Sequence, residues 1–150
     1  MKKVITILVT ISMLLCACGS TPDPVTFNFL NSDYVRSVDP AGLKLHYGEL
    51  VDLTQNGSTV VVKARFTSHL SRQSFIDQNF FNIGDLVHKN GFNTCEEIQY
   101  WAVYQQGDSE EKVISFTVDK TTIAALFNDQ IVPEQLIDLS KDFWISDRIQ

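Results

Sequence analysis

A chain of 150 residues, 44% apolar and 20% charged, is long enough for one folded domain plus an appendage and too apolar to be disordered. Twelve basic residues stand against eighteen acidic ones, a net charge of −6. Such a chain lacks the cationic face with which proteins displace counterions from nucleic acid. Three cysteines are too few to staple a disulfide framework.

The first element in chain order reads as an export signal. Lys2 and Lys3 precede an uncharged, mostly apolar run from Val4 to Leu15. A membrane-spanning helix needs about 20 apolar residues, so a run this short fits the core of a secretory signal peptide. It ends in Leu15-Cys16-Ala17-Cys18-Gly19, which resembles the lipobox of bacterial lipoprotein precursors: Leu15, Ala17 and Cys18 match, and Cys16 takes the variable place. The resemblance implies cleavage before Cys18 and a thioether-linked diacylglycerol, with palmitate-type chains, on its sulfur. Two acyl chains give stable anchoring where one does not, each buried methylene contributing about 0.8 kcal/mol. Gly19 is not Asp, so the inner-membrane retention signal of Gram-negative lipoproteins is missing, and the Cys-Gly-Ser start is similar to Gram-positive lipoproteins.

Residues 1–17 are therefore expected to be a signal peptide, 18–26 a lipidated Cys and flexible tether, and 27–150 one extracytoplasmic domain. Gly19 to Pro24 are small or proline, as a spacer requires. Without Lys2 and Lys3, ten basic residues face eighteen acidic ones, a net charge of −8. An anionic domain gains nothing from an anionic membrane surface, so its lipid must hold it.

Within the domain, Asn56-Gly57 between alternating runs predicts a hairpin. Pairing Leu53 with Val60, Val51 with Val62 and Tyr47 with Phe66 makes one face apolar and places Glu49 on it, opposite Ala64. Either Glu49 is a desolvated or cleft-edge carboxylate, able to anchor a small ligand, or a bulge at Gly48 turns it to solvent. Asn82 can cap a short helix that buries Leu86 and Val87 and ends at Gly91; the preceding Ser71–Phe81 fits helix or loop. A second hairpin joins Glu97–Gln105 to Glu111–Val118. Pairing Gln106 with Glu111 puts Trp101 opposite Phe116 and Val103 opposite Ile114 on a core face. Tyr100 and Tyr104 then share the other face with Ser115 and Thr117. Asp119 can cap a helix burying Ile123, Leu126 and Phe127. Pro133 suits the first position of another, with Leu136, Ile137 and Leu139. Phe143-Trp144-Ile145 makes a last short strand. The order predicts an α+β domain: an antiparallel sheet built from two β-hairpins, with short helices packed on one face.

Candidate chemistry is sparse. His46, His69 and His88 show no zinc-ligand spacing, and the acidic groups Asp108, Glu110, Glu111 and Asp138, Asp142, Asp147 do not follow a calcium loop. No phosphate loop, nucleophile elbow or Ser-x-x-Lys is present, so no metal, cofactor or enzymatic activity is expected. Cys95 precedes Glu96 and Glu97, whose charge would raise its pKa; it reads as a buried, inert thiol. The segments Glu96–Val103 and Glu111–Val118, continuing through Asp142-Phe143-Trp144-Ile145, resemble small, uncharacterised lipoproteins of Gram-positive bacteria. That resemblance implies a location and no activity. The expected function is a non-enzymatic binding or accessory domain, anchored to the outer face of the cell membrane through Cys18. Tyr100, Tyr104, Ser115 and Thr117 would meet an envelope protein or glycan, unless a helix covers that face. The alternative is a small-ligand-binding lipoprotein with a pocket between sheet and helices, anchored by Glu49.

Overall fold

The computed structural model describes residues 25–29, 35–37, 42–68 and 71–149. The expected signal peptide, Cys18, the tether through Pro24, and His69 lie outside these residues. Among the described residues, six strands form one sheet: β1 (Val35–Ser37), β2 (Glu49–Asn56), β3 (Thr59–Phe66), β4 (Glu97–Gln106), β5 (Ser109–Asp119) and β6 (Lys141–Ile145). Helices α1 (Arg72–Lys89), α2 (Lys120–Phe127) and α3 (Leu136–Leu139) complete the α+β domain.

The strands lie side by side in chain order. Every neighbouring pair is antiparallel except β3 and β4, which run parallel. The sheet is therefore mixed, which corrects the expectation of a purely antiparallel one. The cause is the length of α1. Its 18 residues cover about 27 Å at about 1.5 Å per residue. The 8 residues of β3 cover about 26 Å at about 3.3 Å each. The helix thus carries the chain back along β3, and β4 must start from the same end.

Ser71 caps α1, its hydroxyl accepting from the Ser74 N–H at 3.3 Å. Buried Phe75, Ile76, Asn79, Phe80, Asn82, Ile83, Leu86 and Val87 recur at helical spacing. Asn82 is therefore not a cap: the helix starts well upstream and Asn82 is fully buried in its middle. Its Oδ1 accepts from the Tyr47 N–H at 2.9 Å, and its Nδ2 donates to the Tyr47 carbonyl at 2.9 Å and the Tyr100 hydroxyl at 3.2 Å. Gly84 faces Pro133, whose Cγ would lie 2.8 Å from any Cβ there, so only glycine admits this approach.

Both hairpins form, with registers that differ from expectation. The first turns at Gly57-Ser58, with Gly57 at φ +61°. Leu53 pairs with Val62 rather than Val60. This two-residue shift keeps every β3 side chain on its expected face, and Val60, Val62, Ala64 and Phe66 are buried. The bulge that turns Glu49 outward lies between Leu50 and Asp52, not at Gly48. Leu50 consequently pairs with Ala64 and packs on the core, while Glu49 pairs with Arg65.

The second hairpin turns tightly at Gly107-Asp108, and β5 is irregular opposite the Ala102/Val103 step. Together these shift the pairing by one residue from expectation: Tyr100 pairs with Phe116, and Trp101 with Ser115. An odd shift inverts the faces of β4. Tyr100 is only 1% exposed and stacks on Phe116 with ring centroids 5.1 Å apart. Tyr104 is half-buried and packs on the core. Neither tyrosine shares a face with Ser115 and Thr117, so the expected contact face is corrected.

Downstream, Asp119 caps α2 as expected, accepting from the Thr122 N–H at 3.0 Å. Ile123 and Leu126 are buried, but Phe127 is exposed, as are Ile137 and Leu139 after Leu136. The Thr122 N–H, and then the Lys141 ammonium at 3.0 Å, hold the Asp119 carboxyl below its usual range.

Two outcomes follow. Asn82→Ala leaves the Tyr47 amide groups and the Tyr100 hydroxyl without their partner, and should cost about 3 kcal/mol in urea unfolding. Asp119→Ala should cost about 1 kcal/mol near neutral pH. Because folding lowers the Asp119 pKa, its contribution is full above the unfolded value, about 3.9, and disappears as pH falls through the folded one. The gap to wild type in unfolding experiments should close in that window, and Asp119→Asn should keep most of the cap.

Candidate functional site: the open face of the sheet

The inner face of the sheet is closed by α1. Phe75, Phe80, Tyr100 and Phe116 are each no more than 2% exposed, and the Phe80 and Phe116 rings meet edge to face at 5.0 Å. The opposite face carries the alternate residues of each strand. Strand register aligns Lys63 of β3, Trp101 of β4, Ser115 of β5 and Trp144 of β6 in one transverse row. Neighbouring strands are about 4.8 Å apart, so the backbones bearing the two tryptophans stand about 10 Å apart with the small Ser115 between them. Trp144 is 45% exposed.

Beside this row lies a groove of about 410 Å³. Val61 of β3, Gln99, Tyr100 and Trp101 of β4, Lys112, Ser115, Phe116 and Thr117 of β5, and Asp142 of β6 line it. Asp142 occupies an irregular stretch of β6, with φ +52°; such irregularities re-aim side chains at sheet margins. Of the residues expected to form a contact face, Ser115, Thr117 and Tyr100 border the groove, but the Tyr100 ring lies on the helix side, where its hydroxyl meets Asn82, and Tyr104 packs on the core.

Charges on this face are largely paired. Glu110 accepts from Lys63 Nζ and Arg65 Nε, each at 2.8 Å, and Arg65 reaches Glu49 at 3.2 Å. Lys63 and Arg65 hold the Glu110 carboxyl below the usual carboxylate range, and Glu110 raises the Arg65 pKa in turn. Lys63 Nζ also lies 5.0 Å from the Trp101 ring centroid, and Lys112 Nζ lies 5.4 Å from that of Trp144, both within cation–π range.

Glu49 is well exposed and ion-paired to Arg65. It lines a separate cleft of about 390 Å³, at the margin where Glu49, Arg65 and Phe66 of β2 and β3 meet His46 and, from α1, Gln78. His46 Nδ1 lies 3.6 Å from Asp85, which also pairs with Lys89. His88 is 3.8 Å from Asp129. Among the described residues, no group of three or more His, Cys, Asp or Glu is placed to hold a metal ion.

Cys95 is 1% exposed, and burial pushes its thiol up to about 12. The cause is loss of water rather than the charges of Glu96 and Glu97. Trp101, Trp144, Gln99, Lys112 and Asp142 were not singled out by sequence reasoning as contact residues. The available signal was that the two tryptophans of the chain both sit in strands, but their side of the sheet depended on the register. No family model matches the chain, and no match is found among curated proteins or solved structures.

A thiolate is the reactive form of cysteine. Cys95 should accordingly resist a thiol-specific disulfide reagent at neutral pH in the folded protein and react fully in denaturant. Rapid labelling of the folded chain would show that the site opens.

Proposed function

We propose that the protein is a lipid-anchored, non-enzymatic binding domain on the outer face of the cell membrane, meeting an envelope component through the open face of its sheet. The observation that carries the binding role is the Trp101–Ser115–Trp144 row beside a groove whose mainly apolar lining carries the polar groups of Gln99, Ser115 and Thr117. Exposed aromatic area next to convergent polar groups is the usual composition of a recognition surface. The two groups that could have served an enzyme are poorly suited to it: the Cys95 thiol is buried and held protonated, and Glu49 is paired with Arg65 in solvent.

The location is supported by the basic start, the apolar run and the lipobox-like Leu15–Cys18. Among the described residues, no helix is long and apolar enough to cross a membrane. On this reading the acyl chains on Cys18 supply the attachment and the Pro-containing tether sets the domain off the surface. A second reading, a small ligand held at Glu49, draws on the cleft at His46 and Gln78, although its carboxylate already has a cationic partner.

The test is to express the full chain with radiolabelled palmitate in a Gram-positive host. The protein should be labelled and sediment with membranes, and Cys18→Ala should lose both properties. A photo-crosslinker placed at Ser115 should capture an envelope component, and Trp101→Ala should cost that interaction about 2 kcal/mol. An unlabelled, soluble wild-type protein would sink the anchoring. Crosslinking unaffected by Trp101→Ala would sink the proposed face.

A further inference from the structure

We infer that the groove beside Trp101 takes an uncharged oligosaccharide. This rests on the open face being the binding surface, and deepens that reading by naming the ligand class. A sugar ring has an apolar C–H face and a rim of hydroxyls that both donate and accept hydrogen bonds. The groove offers the same two features. Trp101 supplies a flat aromatic wall, while Gln99, Ser115 and Thr117 supply short amide and hydroxyl groups. Lys63 lies over Trp101 but is not among the residues lining the groove, so a ligand can reach the ring without displacing it.

Charge argues against the other classes. With the signal removed, the domain carries a net charge of −8, which opposes polyanions such as nucleic acid or phosphate-rich polymers. The Lys63 and Arg65 cations that could offset this are held by Glu110 and Glu49. Within the groove, Lys112 and Asp142 are one cation and one anion, leaving no net charge for an ion to match. A cationic ligand fares no better, because the ammonium group near each indole ring, at 5.0 and 5.4 Å, repels a second cation. Strands β4 and β5, which floor the groove, are paired on both sides, so among the described strands an extended peptide near the groove would find a free backbone ladder only along the outer edge of β6, not over the Trp101 ring. Trp144 stands beside the groove rather than in its lining, its backbone about 10 Å from that of Trp101; a ligand that leaves the groove to touch both rings is an oligomer rather than a monosaccharide.

The experiment titrates the full lipidated chain, in uncharged detergent micelles, with chitotetraose, cellotetraose and maltotetraose. Binding is read by calorimetry and by emission from Trp101 and Trp144, which are the two tryptophans of the chain. At least one tetrasaccharide should saturate and shift the emission. Trp101→Ala should weaken it about tenfold by calorimetry. Gln99→Leu, a change at an exposed position that leaves the core intact, should weaken it about threefold. Lys112→Gln, and raising salt from about 0.05 to about 0.5 M, should each change it less than about twofold. The inference is overturned if none of the three sugars binds, if binding ignores both Trp101→Ala and Gln99→Leu, or if it collapses with salt or with Lys112→Gln. Absent sugar binding with Trp101-dependent crosslinking at Ser115 retained would reject the sugar and leave the binding face standing. Loss of both would reject both.

Discussion

Asn82 holds three parts of the molecule in one arrangement. It sits fully buried in the middle of α1, where its amide bonds both the N–H and the carbonyl of Tyr47 and donates to the hydroxyl of Tyr100. The first two bonds tie the helix to the segment entering β2; the third ties it to β4. A buried polar group of this kind is costly when unpaired and specific when paired. It permits few other placements of the helix over the sheet. It also requires Tyr100 to point inward, and side chains alternate along a strand. Trp101 must then point outward, and the character of the open face follows from that.

The open face is organised by charge as much as by aromatic area. Glu110 lies near the tip of the second hairpin, between Lys63 and Arg65. Ion pairs exposed to water contribute little to stability, so the consequence of this one is positional. It holds Lys63 beside the Trp101 ring and keeps two cations from acting as a free basic patch in an acidic domain. The same neutralisation separates this face from the Glu49 cleft: Arg65 is shared by both, and is already engaged by both carboxylates.

Much of the local structure was legible in the residues. The turns at Gly57 and Gly107, the Asp119 cap and Pro133, which opens the 3-10 turn Pro133–Gln135 leading into α3, all depend on chemistry within a few positions of chain. The first half of α1 was not legible, because Asn79 and Asn82 lie on its buried face and interrupt the apolar repeat that marks a helix. The β4–β5 register was not legible for a related reason. Tyr100 and Tyr104 alternate with Trp101 and Val103, so both faces of β4 are apolar enough to be core, and the pattern cannot choose between them. The candidate site inherited that ambiguity: Ser115 lies across from Trp101 rather than beside Tyr100.

By itself, the sequence determined the α+β class, the positions of the two hairpins, the Asp119 cap of α2 and the acidity of the domain. Its lipobox-like start carries the expectation of where the protein resides. Only the tertiary structure decided that β3 and β4 run parallel and that Trp101, not Tyr100, faces outward. The physical reason is the range of the interactions involved. A cap or a tight turn is satisfied by groups three or four residues away, whereas Asn82 selects its partners 35 and 18 residues along the chain, at Tyr47 and Tyr100. Contacts of that separation exist only once the helix has already crossed the sheet.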